Sequence, residues 1–376
     1  MKTKNYFLYQ TIIFLSIIFF LNERLYIHTN QVSGVYNVYM SIYFFLLFFV
    51  GLILFKIKFT TKELLIFILL LLVMALNTLH SNASFSESIR YLLDISIIFF
   101  CSKINFGSII VLAKCIIING FISQILFANE IFTERGSGFF ITSPTNFSVI
   151  IGLSLILLVE HYRRKNIQGG MSIILYVFLS LYLIYQSESR SVLLYVLAYI
   201  VTIISINLYK KGNLFLRFVL VAIIISTVPL FYQIIIEILN QRDNGIESNS
   251  TRILLYSTLI KKFLLNPVGI FIGNGAGSAY ALTSGLAGVK FPVHFDLLAI
   301  IYDFGVLYLG LLLTFVKIIY RKINIAILGM IVVANFHNLL LFPLGIIYTF
   351  LIWSYLIYSE KEDNSALESQ NGVETL

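Results

Sequence analysis

The sequence predicts an all-α polytopic membrane protein with about 12 transmembrane helices. Hydrophobic residues make up 59% of the 376 residues and charged residues only 12%, whereas soluble domains are about half apolar and about a quarter charged. Apolar segments of roughly 20 residues, the length that crosses a bilayer as a helix, recur from end to end. The alternating pattern of a half-buried strand does not occur in these segments.

The spans form a single transmembrane domain over residues 1–376. The first follows Met1-Lys-Thr-Lys-Asn5 without a small-residue cleavage site, so we expect it to stay in the mature chain. The fourth is short and carries Arg90 and Asp94 one helical turn apart, which indicates a tilted or re-entrant segment. The twelve spans are predicted at about 5–22, 35–55, 63–79, 88–102, 105–127, 139–159, 171–187, 191–209, 214–238, 296–319, 323–341 and 343–358.

The distribution of basic residues predicts the orientation. If the chain starts inside and the spans alternate, seventeen of the 26 Lys and Arg residues fall in inner segments and nine in outer ones. Inner segments of membrane proteins are enriched in these residues, so we expect both termini in the cytoplasm. The acidic, polar stretch 360–376 is predicted to be a disordered cytoplasmic tail. The same rule accounts for the net charge of +8, so nucleic acid is not an expected partner.

The one long polar interval, at about 240–295, is predicted to be a large outer loop that contains short helices. A helix is expected from Ser250 or Thr251 to the stop signal Asn266-Pro267. Arg252 lies at its start in the middle of the apolar half, where arginine and a helix N-terminus together suit an anion. The alternative is an interfacial helix whose arginine extends to the lipid headgroups. The predicted apolar half consists of Ile253, Leu255, Tyr256, Leu259, Ile260, Phe263 and Leu264.

Two further features follow in this loop. The run from Val268 to Ser278 contains four glycines, which permit close backbone approach, but it lacks the lysine of a P-loop. His294 precedes the next span, where it suits proton transfer near neutral pH or hydrogen bonding to the loop backbone. Asp296 and Asp303 share a face of that span, and Asp303 lies about two turns deep, where an ionisable side chain is a functional candidate.

Arginine is the basic residue of each of the first four outer connections. Its planar fork binds phosphate oxygens in pairs, which lysine does not. Because an acidic residue stands close to each arginine, local salt bridges at the membrane interface are the alternative explanation. The pairs are Glu23 with Arg24, Glu87 with Arg90, Glu134 with Arg135, and Glu188 with Arg190.

The order of these features resembles the O-antigen ligase and polymerase superfamily of bacterial surface-polysaccharide assembly. The likeness covers residues 135–310, and Phe295 departs from it because the family usually has asparagine after the histidine. Four motifs carry the likeness: Arg135-Gly-Ser-Gly-Phe139 with Pro144 and Asn146; Ser187-Glu-Ser-Arg190; Arg252 with Asn266-Pro-Val-Gly269 and Gly273-Asn-Gly-Ala-Gly-Ser278; and His294 with Asp303, Gly305 and Gly310.

The resemblance implies a glycosyltransferase of the bacterial cytoplasmic (inner) membrane that uses neither a metal nor another cofactor. Its donor would be an oligosaccharide on undecaprenyl pyrophosphate, and its product O-antigen of lipopolysaccharide or capsular polysaccharide. A chain-length regulator and a flippase of the same pathway are further candidate partners. The Ile-, Phe-, Tyr-, Asn- and Lys-rich composition suits an AT-rich polysaccharide locus. Because such loci usually encode the polymerase, it favours a repeat-unit polymerase. A ligase that transfers glycan to a surface acceptor is the alternative within the family, and a lipid-linked oligosaccharide flippase is the alternative from another class.

Residue roles follow from the same resemblance. Arg252 and Arg190, with Arg135 third, would stabilise the negative charge on the leaving diphosphate. His294 would be the general base that takes the proton of the acceptor hydroxyl. The remaining candidate substrate-binding residues are Asp303 and Asp296, either of which could orient the imidazole, together with Asn146, Gly275 and Gly277.

Overall fold

The computed structural model describes residues 2–22, 34–80, 84–126, 144–165, 170–211, 249–287, 295–320, 324–334 and 342–373. All regular secondary structure in these ranges is helical. The helices are α1 Lys2–Leu21, α2 Gly34–Leu54, α3 Thr61–His80, α4 Phe85–Cys101, α5 Ile109–Leu126, α6 Pro144–Arg164, α7 Gly170–Gln186, α8 Arg190–Lys211, α9 Asn249–Leu264, α10 Pro267–Ile272, α11 Ser278–Ala287, α12 Asp296–Tyr320, α13 Ile325–Ala334 and α14 Pro343–Val373.

Each predicted span that falls in these ranges coincides with a helix, and the span predicted at about 214–238 lies outside them. Among the described helices, five are long and apolar enough to cross a membrane, namely α2, α3, α5, α6 and α12. Five more helices, α1, α7, α8, α13 and the first part of α14, are apolar but shorter. The helical class and the apolar helices expected of a membrane protein are therefore confirmed, while the number of about 12 spans stays a prediction.

One end of the bundle is held by ion pairs, and we call it the basic end. Lys103 Nζ, just after α4, lies 2.7 Å from Glu63 Oε1 at the start of α3. Glu63 also accepts the backbone N–H of Thr60 at 2.7 Å, which closes a capping box at the N-terminus of α3. Arg163 Nη2, in the last turn of α6, lies 2.7 Å from Glu160 Oε2. The buried carboxylates thus neutralise two of the cations that mark this end.

Both α1 and α14 reach the same basic end. Tyr6 in α1 donates a hydrogen bond from its hydroxyl to the carbonyl oxygen of Asn105 at 2.8 Å. Ser354 in α14 donates to the carbonyl oxygen of Ile104 at 3.1 Å. Arg164 Nη1 donates to the carbonyl oxygen of Leu356 at 2.9 Å. These contacts anchor the first and last described helices beside the ends of α4 and α6.

The centre of the bundle is α6, in which every residue from Phe147 to Leu158 is buried. A helix that is apolar on all sides is enclosed by other helices, and α6 packs against α5, α7, α8, α13 and α14. In the other half, α12 packs against α3. The ring of Phe99 in α4 stacks on Phe67 of α3 at a centroid distance of 4.6 Å and on Phe59, just before α3, at 4.1 Å. The core is therefore continuous from one half to the other.

The last helix differs from the sequence prediction. The backbone of α14 is helical as far as Val373, where a disordered tail was expected from residue 360 onward. The segment from Ser359 to Asn371 contains neither proline nor glycine, the two residues that disfavour a helix most strongly. No residue in it therefore stops the helix at the end of the apolar part.

The predicted helix before Asn266-Pro267 is present as α9, which starts at Asn249, slightly earlier than expected. Its buried face is narrower than the predicted half. Leu255, Leu259 and Phe263, spaced four residues apart, are buried, whereas Ile253 and Leu264 are exposed. Leu259 and Phe263 of this stripe pack with α11 and the first part of α12 into a small second core. This core holds the helices of the segment that precedes α12.

Candidate functional site

The functional candidates lie around a break in α12. Gly305 interrupts this helix with φ 81° and ψ 174°. A helix break leaves carbonyl oxygens without their usual partners. The glycine-rich run supplies those partners, because Asn274 N donates to the carbonyl oxygen of Tyr302 at 3.0 Å and Gly275 N to that of Asp303 at 2.9 Å. We call the end of the bundle where this run meets α12 the loop end.

The glycine-rich run crosses α12 at this break, and we call the place the crossing. Two glycines make it possible. Gly273 also has a positive φ, 84°. A Cβ at Gly273 would lie 2.1 Å from the carbonyl oxygen of Asp303, and a Cβ at Gly305 would lie 2.3 Å from that of Phe271. Any side chain would prevent this backbone approach. The predicted close approach of the glycine-rich run is thus made to the protein's own helix α12.

Asp303 fastens the run to α12. Its Oδ1 accepts hydrogen bonds from Ala279 N at 2.8 Å and from Ser278 Oγ at 3.0 Å, and its Oδ2 accepts one from Gly277 N at 2.9 Å. These donors form the first turn of α11, where the free N–H groups and the helix dipole favour a carboxylate. Asp303 is 2% exposed. The two carboxylate oxygens of Asp303 and the N–H groups of the candidate residues Gly275 and Gly277 therefore all form hydrogen bonds within the protein.

Asn77 of α3 is a polar residue that the sequence prediction missed. It lies in a strongly apolar span, 226 residues before Asp303, and is 1% exposed. Its Nδ2 donates to the carbonyl oxygen of Asp303 at 2.8 Å and also bonds to that of Ile272. It therefore ties α3 to both sides of the crossing. A single amide in an otherwise apolar span was the only available signal for this role.

A buried charged group on α4 lies beside the crossing. Arg90 Nη2 is 2.8 Å from Glu87 Oε2, so this predicted pair is confirmed. The guanidinium lies 4.8 Å from the centre of the Tyr91 ring. It also interacts electrostatically with the carboxylates of Asp94 and Asp303. Because Arg90 is only 8% exposed, it is not a surface arginine. The sequence signal for this group was the pair Arg90 and Asp94, one turn apart in a short span.

Asp94 completes the group. It is 4% exposed, its Oδ1 accepts a hydrogen bond from Ser41 Oγ of α2 at 2.9 Å, and its Oδ2 makes no hydrogen bond. The contact of Ser84 N with the carbonyl oxygen of Ala276, at 3.1 Å, fixes the start of α4 against the glycine-rich run. Ionisable side chains enclosed in a helical membrane protein are functional candidates. Here they gather where α3, α4, α12 and the glycine-rich run meet.

The starts of α9 and α12 also meet at the loop end. The rings of Tyr256, in the second turn of α9, and Phe295, just before α12, have centroids 6.0 Å apart. Asp296, the first residue of α12, is fully buried. Arg252 lies in the first turn of α9, and its backbone alone is described. His294, next to Phe295, lies outside the described residues, as do Arg24 and Arg135.

Arg190 and Asn146 belong to a second group, in the half of the bundle formed by α5 to α8. Arg190 starts α8, nine residues before Tyr199, whose hydroxyl donates to Glu160 Oε1 near the basic end. Nine helical residues span about 13 Å, so Arg190 lies toward the other end. Asn146 is in the first turn of α6, which also starts there. The predicted site residues that are described therefore lie toward one end of the bundle, in two groups.

The arrangement can bind a charged or polar ligand near several helix starts, with arginine and buried carboxylates close by. Comparisons with protein-family models, with curated proteins and with solved structures find no match for this chain.

Proposed function

We propose that this protein is a membrane glycosyltransferase that polymerises oligosaccharide repeat units carried on undecaprenyl pyrophosphate. The observation that carries the proposal is the contact between Tyr256 and Phe295. Tyr256 is one turn after Arg252, and Phe295 follows His294 directly. The contact therefore favours an arrangement in which an anion-binding arginine and a proton-accepting histidine serve the same substrate.

The proposed chemistry uses these two residues on opposite sides of the bond that breaks. Arg252, in the first turn of α9, stabilises the negative charge that develops on the departing diphosphate. His294 takes the proton of the acceptor hydroxyl as it attacks the donor sugar. Asp296 is the carboxylate assigned to orient the imidazole, because the carboxylate of Asp303 is occupied by α11.

The proposed orientation places the basic end in the cytoplasm and the loop end on the outer side of the cytoplasmic membrane. The cations Lys103, Arg163 and Arg164 at the basic end support this orientation. Contacts of α1 and α14 with the same end support cytoplasmic termini. A site at the outer mouth of the bundle leaves the prenyl chain of the donor in the bilayer while the glycan stays in water.

The proposal is tested by complementing a deletion strain with single variants and resolving its surface polysaccharide on a gel. Arg252→Lys keeps the charge but loses the paired donors, and we expect the ladder of long chains to fall by at least roughly tenfold. His294→Ala is expected to collapse the ladder to a single repeat. Lys262→Arg, an exposed position of the same helix, is the matched control and should retain the full ladder.

The gel also separates the alternatives. A full ladder from both Arg252→Lys and His294→Ala would refute the site. Loss of all attached glycan in the deletion strain would identify a ligase. Accumulation of repeat units on the cytoplasmic leaflet would identify a flippase.

A further inference from the structure

Gln124 is buried without any hydrogen-bond partner, which is unusual for a side chain with two donors and an acceptor. It lies in the last turn of α5 and is 3% exposed. Neither its Oε1 nor its Nε2 makes a hydrogen bond. Buried polar side chains are almost always paired, and an unpaired one requires an explanation such as a role in binding a polar ligand.

The packing of α5 one turn earlier shows which helices lie beside this amide. One turn before Gln124, Gly120 passes so close to Phe147 of α6 and Leu183 of α7 that a Cβ would meet their side chains at 3.2 and 3.3 Å. Gln124 lies one turn after Gly120 on α5, and Ser187 lies one turn after Leu183, just beyond α7. Both are therefore one turn closer to the loop end than this contact. Since α6 runs in the opposite direction, its first turn, which contains Asn146, lies in the same layer.

The connection between α7 and α8 contributes a second unsatisfied group to this layer. Ser189 is 2% exposed, and its Oγ makes no hydrogen bond. Glu188, beside it, has a positive φ of 52°, a conformation that non-glycine residues rarely adopt outside constrained sites. Arg190 follows and starts α8. Gln124, Ser189 and Arg190 thus lie toward the same end of α5 to α8.

We infer that Gln124 and Ser189 bind a sugar unit of the lipid-linked donor beside Arg190; this inference rests on the function proposed above. A carboxamide donates and accepts, so it complements sugar hydroxyls and acetamido groups, which do both. A bare phosphate only accepts and is matched by arginine. Gln124 is therefore a binding residue that forms hydrogen bonds with the sugar, and Arg190 is the neighbouring residue that contacts phosphate.

The test measures lipid binding to the full-length protein in nanodiscs. The probes are undecaprenyl pyrophosphate alone and undecaprenyl pyrophosphate bearing N-acetylglucosamine. We expect the wild-type protein to bind the sugar-bearing lipid more tightly. Gln124→Leu should weaken that binding about tenfold and leave the bare lipid unaffected, because one or two hydrogen bonds to a neutral group are lost. Ser189→Ala should have a smaller effect in the same direction.

A control and a stability measurement separate binding from structure. Ser180→Ala removes another buried hydroxyl of α7 that makes no hydrogen bond, and it should change neither affinity. Gln124→Leu should unfold at or above the wild-type temperature, because no native hydrogen bond is lost. A lower unfolding temperature with unchanged affinities would mean that the amide is structural and would overturn the inference.

The two proposals fail in different ways. If Gln124→Leu binds both lipids as the wild type does, the inference on Gln124 is refuted while the proposed function stands. If the wild-type protein binds neither lipid, the proposed function itself is refuted.

Discussion

Replacing Asp303 with asparagine tests whether this carboxylate holds α11 in place on α12. In the structure it accepts two hydrogen bonds at Oδ1, from Ser278 and Ala279, and one at Oδ2, from Gly277. An asparagine has one acceptor oxygen and one donor nitrogen in the same space. If the oxygen keeps the Oδ1 bonds, the nitrogen faces the Gly277 N–H, and two donors oppose each other.

The expected loss follows from these contacts. A buried N–H without a partner costs about 1–3 kcal/mol, and a hydrogen bond to a charged group contributes more than one to a neutral group. Removing the negative charge from the start of α11 costs about a further 0.3–1 kcal/mol. We therefore expect Asp303→Asn to weaken the docking of α11 on α12 by about 2–4 kcal/mol.

Hydrogen exchange of the amides of α11, Ser278–Ala287, measures this docking directly. In detergent or nanodiscs the exchange of these amides should become at least roughly 25-fold faster, while exchange in α6 should stay unchanged. Ser278→Ala removes only one of the three bonds and is the matched control, with an expected cost of about 0.5–1.5 kcal/mol.

The result that would refute this reasoning is wild-type exchange in α11 of Asp303→Asn. If polymer formation were lost in that variant with unchanged exchange, Asp303 would act on the substrate or on His294 instead.

Three further substitutions test the crossing. Gly273→Ala should destabilise the protein by more than about 3 kcal/mol, because the residue has a positive φ and its Cβ would overlap the carbonyl oxygen of Asp303. The matched control Gly310→Ala, whose Cβ meets nothing within 4 Å, should be neutral or stabilise by up to about 1 kcal/mol; equal thermal unfolding of the two variants would contradict this account of the crossing. Asn77→Leu should lower stability by about 1–3 kcal/mol by removing the donor to Ile272 and Asp303, and an unchanged unfolding temperature would show that these carbonyls need no such donor.

The contrast between α9 and Asp303 shows how far sequence reasoning reaches. The helix before Asn266-Pro267 was predicted because its stop signal and apolar spacing are local. Its buried face was predicted too wide, since only contact with α11 and α12 decides which apolar residues are covered. The partners of Asp303 were not predicted, because they depend on how a glycine-rich run meets a broken helix.

The sequence by itself determined that the chain forms apolar helices, because long apolar runs leave the backbone no other way to satisfy its hydrogen bonds in lipid. It also singled out Asp303 and the pair Arg90 and Asp94 as polar side chains in apolar surroundings. Only the tertiary structure decided that Arg90 is buried and that Asp303 caps α11. Those outcomes depend on groups as distant in the chain as Asn77, and no local pattern encodes such an encounter.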